Sequence, residues 1–195
     1  MAKSILVVQG GGRAHGNTAQ LVERFCAGAR DAGHEVEVVS LIKNEVRGCL
    51  GCNACRFEKP CIQKDAFNDL VPKIRAADLI VFAAPLYFWT IPAHLKAFIE
   101  RFYCIAQRDP NPPYGRYEKY PVHDSALLMT AADDNFWTFE FAVAYYRQAI
   151  VNYIGFNDRG MLLAGGCGST NGGPQIDKTD HLEKAYEFGK GIYSL

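Results

Sequence analysis

Apolar positions along the chain follow two rhythms that alternate from one end to the other. Residues 4–9 hold an unbroken run, Ile5-Leu6-Val7-Val8, which predicts a strand covered on both faces. After Thr18 the spacing changes. Leu21, Val22, Phe25, Cys26 and Ala29 recur every three or four residues, the stripe of a helix over 17–32. Residues 35–39, Glu-Val-Glu-Val-Val, alternate polar with apolar and predict a second strand near a sheet edge. Helical spacing returns over 65–77 with Phe67, Leu70, Val71 and Ile74, and Pro72 predicts a helix that is short or starts near the proline. A third strand follows at 79–84. Pro92 opens a helix that carries Leu95, Phe98, Ile99, Phe102 and Tyr103 to about residue 105. Residues 107–123 show Pro, Tyr and charge without a period, an excursion of lid or interface type. A strand at 125–130, a helix at 135–153, a strand at 160–164, a glycine-rich loop at 165–173 and an amphipathic helix at 180–193 complete the pattern.

Five strands alternating with helices imply one α/β domain over residues 1–195, a parallel sheet with helices on both faces. In such sheets ligands sit beyond the carboxyl ends of the strands, where the strand order reverses. Those ends carry loops 10–18, 43–61, 85–91, 131–136 and 165–173. The helix at 135–153 has Phe136, Trp137, Phe139, Phe141, Tyr145, Tyr146, Ile150 and Tyr153 all around it. So apolar a helix has little room for a solvent face. It is expected to pack partly against another subunit, in a homodimer or homotetramer.

Two of the loops carry chemistry. The first reads Gly10-Gly11-Gly12-Arg13-Ala14-His15-Gly16-Asn17-Thr18, between a strand and a helix start. Unpaired N–H groups and the positive dipole end of that helix suit a phosphate. Gly11 and Gly12 let the backbone come close, Arg13 offers a charge-assisted bond, and Asn17 and Thr18 add side-chain donors. The loop lacks the Lys-Ser/Thr pair of a P-loop, and its spacing is not that of a dinucleotide fingerprint. Without a ligand it is a glycine-rich turn. The second reads Pro85-Leu86-Tyr87-Phe88-Trp89-Thr90. Three consecutive aromatic residues on a loop beside a phosphate site suit the wall of a planar ring. The alternative is an aromatic plug for the core.

Composition narrows the partners. Lys+Arg 21 balance Asp+Glu 21, so nucleic acid and an anionic membrane are not expected as main partners. No apolar run reaches membrane-spanning length. Met-Ala-Lys leads at once into a strand and leaves no stretch for an export signal, which makes the cytoplasm the expected location. Cys49, Cys52, Cys55 and Cys61 are spaced C-x2-C-x2-C-x5-C within the loop 43–64. With no export signal, such a cluster favours metal, iron–sulfur or redox chemistry over structural disulfides. Four thiolates at this spacing suit a [4Fe–4S] cluster; zinc, a disulfide and plain thiols stay open. Cys26 and Cys104 fall on apolar helix faces and read as core, and Cys167 lies in a glycine-rich loop on the ligand side. His15, His94 and His123 are isolated and read as surface or structural.

Taken together, these residues resemble the flavodoxin-like NAD(P)H-dependent FMN reductase family. The glycine loop is similar to that family's phosphate loop, with Gly11 and Gly12 in place of a Ser and a Pro. Residues 84–88 with Pro92-Ala93-His94-Leu95-Lys96-Ala97-Phe98-Ile99-Glu100-Arg101-Phe102 resemble its second signature. Residues 153–156 and 182–190 also look like the family, and the resemblance omits only 107–123. The cysteine motif looks like that of the iron–sulfur flavoproteins, which share the fold. The resemblance implies a five-stranded flavodoxin-like fold and FMN as cofactor. It places Arg13, Asn17 and Thr18 at the FMN phosphate and residues 85–90 along the isoalloxazine ring, with a weaker contact near 130–133. It implies NAD(P)H as electron donor and a small-molecule or protein acceptor. No side chain is assigned as a catalytic acid or base, because the cofactor carries the chemistry. A second reading is a non-enzymatic electron-transfer protein with FMN and a cluster, reduced by a ferredoxin; a third is a flavin-free interaction protein. The phospho-receiver family is set aside, since Gln9 and glycines stand where it needs acidic residues.

Overall fold

The structure is a computed structural model that describes residues 1–56, 59–109, 111, 118–168 and 173–194. Parts of three expected segments therefore lie outside the described residues: 57–58 of the cysteine loop, most of 110–117 in the excursion, and 169–172 of the glycine-rich loop. The elements are β1 (Ser4–Gln9), α1 (Asn17–Asp31), β2 (Glu35–Ser40), α2 (Phe67–Ala76), β3 (Leu79–Pro85) and α3 (Ala93–Glu100). They continue with β4 (Gln107–Arg108), β5 (Glu118–Lys119), β6 (Asp124–Thr130), α4 (Glu140–Tyr146), β7 (Asn157–Ala164) and α5 (His181–Gly191). The main sheet is five-stranded in the order β2-β1-β3-β6-β7, and every pairing is parallel. This is the flavodoxin-like arrangement, with its reversal of direction between β1 and β3.

Alternation along the strands sorts the core into two layers. Ile5, Val7, Leu79, Val81, Ala126 and Leu128 face α1 and α5. Leu6, Val8, Ile80, Phe82, Leu127 and Met129 face the opposite layer, with Phe67, Leu95, Phe98, Phe102 and Tyr146. Helices α1 and α5 approach so closely that a Cβ on Gly28 would lie 2.0 Å from the Tyr186 carbonyl oxygen, and one on Gly189 2.0 Å from that of Phe25.

Several boundaries differ from the sequence pattern. Helix α2 begins at Phe67, where Asp65 Oδ1 accepts the Phe67 N–H at 3.2 Å, and Pro72 lies inside it at the cost of one helical bond. Helix α3 stops at Glu100, and Arg101–Cys104 continue as a 3₁₀ turn. The expected helix at 135–153 starts later, at Glu140, because residues 135–139 form turns in which Thr138 Oγ1 accepts the Asn135 N–H. It then widens into a π-helix over Arg147–Ile154 that ends at Gly155, whose φ of +88° suits a residue without Cβ. Strand β7 starts three residues before its apolar run. Its polar opening is held by Asp124, which accepts bonds from Asn157 Nδ2 at 3.1 Å and Arg159 Nε at 2.9 Å. Within the excursion, β4 and β5 form a two-stranded antiparallel ribbon. Among the described residues no helix is long and apolar enough to cross a membrane.

Candidate active site

The carboxyl ends of β1, β3, β6 and β7 open into one trough. At its closed end, Gly10 donates its N–H to Ala83 O at 2.8 Å, and Nε2 of His94 on α3 lies 2.8 Å from Gly10 O. His94 is thus structural and fastens the glycine loop to α3. A Cβ on Gly11 would sit 3.4 Å from Thr18 Cβ and 3.5 Å from Pro85 Cδ, so a side chain here would fill the cradle. Helix α1 follows with Gly16 at its N-cap, no capping side chain and no acidic residue in its first turn. Its positive end therefore faces an open pocket lined by Gly11, Gly12, Arg13, Thr18 and Tyr87.

Asn17 and Thr18 both belong to this pocket, but their side chains are already engaged. Asn17 Nδ2 donates to Cys167 O at 2.9 Å, and its Oδ1 accepts the N–H groups of Gln175 at 2.9 Å and Ile176 at 3.2 Å. Thr18 Oγ1 lies 2.7 Å from Thr130 Oγ1. What the two residues leave available to an anion is the main-chain N–H of the first helical turn. The side chain of Asn17 instead ties the last loop of the fold to the first.

The trough continues into a cleft of about 600 Å³ between Arg13, Pro85, Tyr87, Thr130 and Cys167, and then into one of about 580 Å³ between Leu86, Phe88, Trp89, Ala132 and Thr138. Leu86, Ala131 and Ala132 line both. All the residues singled out in the two loops, save the turn-closing Thr90, therefore border one continuous trough. Tyr87 and Thr90 exchange both N–H···O bonds at 3.0 Å. Between them Phe88 and Trp89 have φ of +47° and +60°, the signs a two-residue type I′ turn requires. Two bulky residues in that region carry roughly 1–2 kcal/mol of strain each. Phe88 stands 93% exposed, and Trp89 packs against Trp137 with ring centroids 6.4 Å apart. The far wall is zipped by backbone: Cys167 N–H to Ala131 O, Gly168 N–H to Ala132 O and Gly166 N–H to Asp133 O. A Cβ on Gly165 would lie 2.2 Å from Asp134 Oδ1, which explains a glycine there.

The cysteines gather at the other end of α3. Cys49, Cys52, Cys55 and Cys61 line a separate cavity of about 150 Å³, and Cys104 joins them. The helical pattern reads Cys104 as core; it is buried, and it also faces this cavity. All seven cysteines are free thiols. Burial pushes the Cys55 thiol up, with a compensating contact from Cys104. Gly51, with φ of +65°, gives its N–H to Cys49 Sγ at 3.4 Å. Among the described residues no group of three or more His, Cys, Asp or Glu is arranged to hold a metal ion.

Side chains from α2 and α3 fix this loop. Asp65 accepts Arg101 Nη1 at 2.7 Å and Nη2 at 3.1 Å, and also the Arg47 N–H at 3.0 Å. Burial alone would raise the Asp65 carboxyl, but the Arg101 guanidinium and the N–H groups of Arg47 and Phe67 outweigh it and hold it below the usual carboxylate range. Arg101 Nη1 also donates to Arg47 O at 2.9 Å, and Glu100 accepts the Cys49 N–H at 3.1 Å. Asn68 both accepts the Cys61 N–H and donates to the Cys61 carbonyl. None of these anchors was singled out from the sequence. Asp65 at a helix start and Arg101 flanking the Leu95, Phe98 and Phe102 stripe are the signals that were there to be read.

Comparison with known proteins agrees with this geometry. The profile of the NADPH-dependent FMN reductase family matches residues 4–123. An iron–sulfur flavoprotein of Methanocaldococcus jannaschii is 33% identical over 97 residues, 50% of each chain. One of Methanosarcina thermophila is 31% identical over 102 residues, 52% of this chain and 53% of that one. The chain is thus aligned to about half the length of these curated relatives. Among solved structures, an NAD(P)H:quinone oxidoreductase from Methanothermobacter marburgensis superposes with a TM-score of 0.77 at 18% identity, covering 99% of this chain and 97% of its own. At that identity the superposition speaks to the fold.

Proposed function

The chain belongs to the NADPH-dependent FMN reductase family, and on that premise we propose that it is an FMN-dependent oxidoreductase that takes electrons from NAD(P)H and passes them to a small-molecule or protein acceptor. The observation that carries this reading is the continuity of the trough from the start of α1 to the aromatic turn at 87–90. Bound FMN would supply the two-electron chemistry. The chain's own residues bind and orient it. The N–H groups at Gly11, Gly12, Asn17 and Thr18, with the charge of Arg13, receive the phosphate. Pro85, Leu86, Tyr87, Phe88 and Trp89 run along the ring, and Thr90 closes the turn that carries them. The glycine cradle, which a Cβ at position 11 would fill, fits this assignment.

Titration with FMN followed by anaerobic mixing with NADPH tests the reading. Rapid bleaching of the flavin is expected. Binding without bleaching turns the protein into a carrier reduced by another protein, and failure to bind FMN overturns the assignment.

The same premise extends to the cysteines, which we assign to a [4Fe–4S] cluster held by Cys49, Cys52, Cys55 and Cys61. A cavity lined by sulfurs, an N–H···S bond at Cys49 and a buried arginine N–H without a partner among the described residues support an anionic thiolate-ligated group. Protein purified without oxygen is expected to be brown, with about four irons; iron-free protein of full activity defeats this part alone. Free thiols at all seven positions fit a reducing compartment such as the cytoplasm. Phe136, 100% exposed, with Trp137 and Phe141, supports a homodimer that covers this face; a monomer in a size measurement removes it.

A further inference from the structure

We propose that Arg101 is the positioning residue of the cysteine cavity, its Nε–H kept as hydrogen-bond donor to a sulfur of the group held there and thereby setting that group's reduction potential. The inference rests on the cluster reading above and goes beyond it.

The guanidinium is 1% exposed and cannot turn. Asp65 grips both terminal nitrogens, the Arg47 carbonyl takes a further N–H, and the plane lies against the Phe67 ring with 4.9 Å from Cζ to the centroid. Those contacts use the outer edge of the fork. The inner N–H, at Nε, is buried and has no hydrogen-bond partner among the described residues. Arg101 lines the cavity together with Cys49, Cys52, Cys55 and Cys61. A buried donor left unmade is unfavourable, and proteins seldom keep one without a use. Its charge is already balanced by Asp65, so neutral thiols give it no function. A cluster on four thiolates is an anion with sulfur acceptors, and it suits a fixed N–H. Reduction of the cluster adds one electron and no proton. The sulfurs become more negative, the bond strengthens, and the reduced state gains most. The donor therefore raises the midpoint potential.

The test compares wild type with Arg101→Lys, both reconstituted anaerobically with iron and sulfide and carrying FMN. Lysine keeps a cation for Asp65 but has no Nε donor. Equal iron, sulfide and flavin contents with a lower midpoint in the variant, read by dithionite titration, support the proposal. Equal midpoints in the two loaded proteins overturn it and leave the cluster reading intact. Wild type that takes up no iron overturns both, and the iron count tells the cases apart. If the lysine variant does not fold, pulsed EPR on reduced wild-type-like protein with ¹⁵Nε-arginine reads the same bond. An Arg56→Lys background removes the other arginine of the cavity. Coupling to one arginine nitrogen supports the assignment, and its absence overturns it.

Discussion

The trough and the cysteine cavity flank α3 but are held by different means. The trough is framed by main chain. Gly10 bonds to Ala83, Leu86 to Thr130, Cys167 to Ala131 and Gly168 to Ala132, each continuing the register of the sheet beyond the strand ends. The cysteine cavity is framed by side chains: Asp65 just before α2, Asn68 in α2, Glu100 at the end of α3 and Arg101 in the turn after it hold the cysteine loop. Backbone framing fixes a shape that a flat, neutral ring can use. Side-chain framing carries charge into the wall, which suits an inorganic anion. Helix α3, about 12 Å long, places the two sites at opposite ends of one rigid element.

Cutting the side-chain frame is expected to give the largest effect. Asp65→Ala leaves Arg101 buried without its counter-charge and should cost about 4 kcal/mol in unfolding free energy. Limited proteolysis should then cut within 43–64 while FMN affinity stays near that of wild type; a parallel loss of FMN would show that the two sites share one frame. The converse change attacks the trough. Asn17→Ala removes three hydrogen bonds and should cost about 2–3 kcal/mol. It should loosen residues 165–176 in hydrogen exchange and leave the cysteine loop protected. Arg13→Ala sharpens the comparison without disturbing the fold. FMN affinity should fall about tenfold, the loss of one charge-assisted bond, with an unchanged melting curve. Phe88→Gly relieves one left-handed residue and should raise stability by about 1 kcal/mol, visible as a higher denaturant midpoint.

Acid supplies a control that favours neither region. His123 is buried just before β6, at the amino ends of the strands, where Nδ1 lies 2.7 Å from Ala77 O and the ring meets Phe156. Burial pushes its pKa down. The unfolded chain then binds the proton more readily, so the contribution is intact above the ordinary histidine value of about 6.5 and is lost as pH falls below it. Melting temperature should drop on that side of neutrality, and His123→Phe should flatten the drop.

Much of this was legible in the residues. The run at 79–84 is apolar throughout because β3 is central and covered on both faces, and the glycine loop with the aromatic triplet marks the trough from either side. What could not be read depended on contacts distant in sequence. Asn17 looks like a phosphate donor until Cys167, Gln175 and Ile176 close on it. Cys104 looks like core filler because helical periodicity reports burial, not what lies beyond the buried face. Helix 135–153 reads as regular because aromatic residues on all sides hide both its late start and the shift to π geometry. Arg101 enters the sequence reading only as part of the second signature, because its partner Asp65 lies 36 residues away.

The bracket made by Asn17 has a consequence for biogenesis. It joins residue 17 to Cys167, Gln175 and Ile176, so the binding cleft is closed by segments at least 150 residues apart along the chain. A nascent chain still short of residue 176 has no finished pocket to offer, however well its first strands have paired. A ligand of this cleft therefore meets a finished site only once Ile176 has folded back onto Asn17.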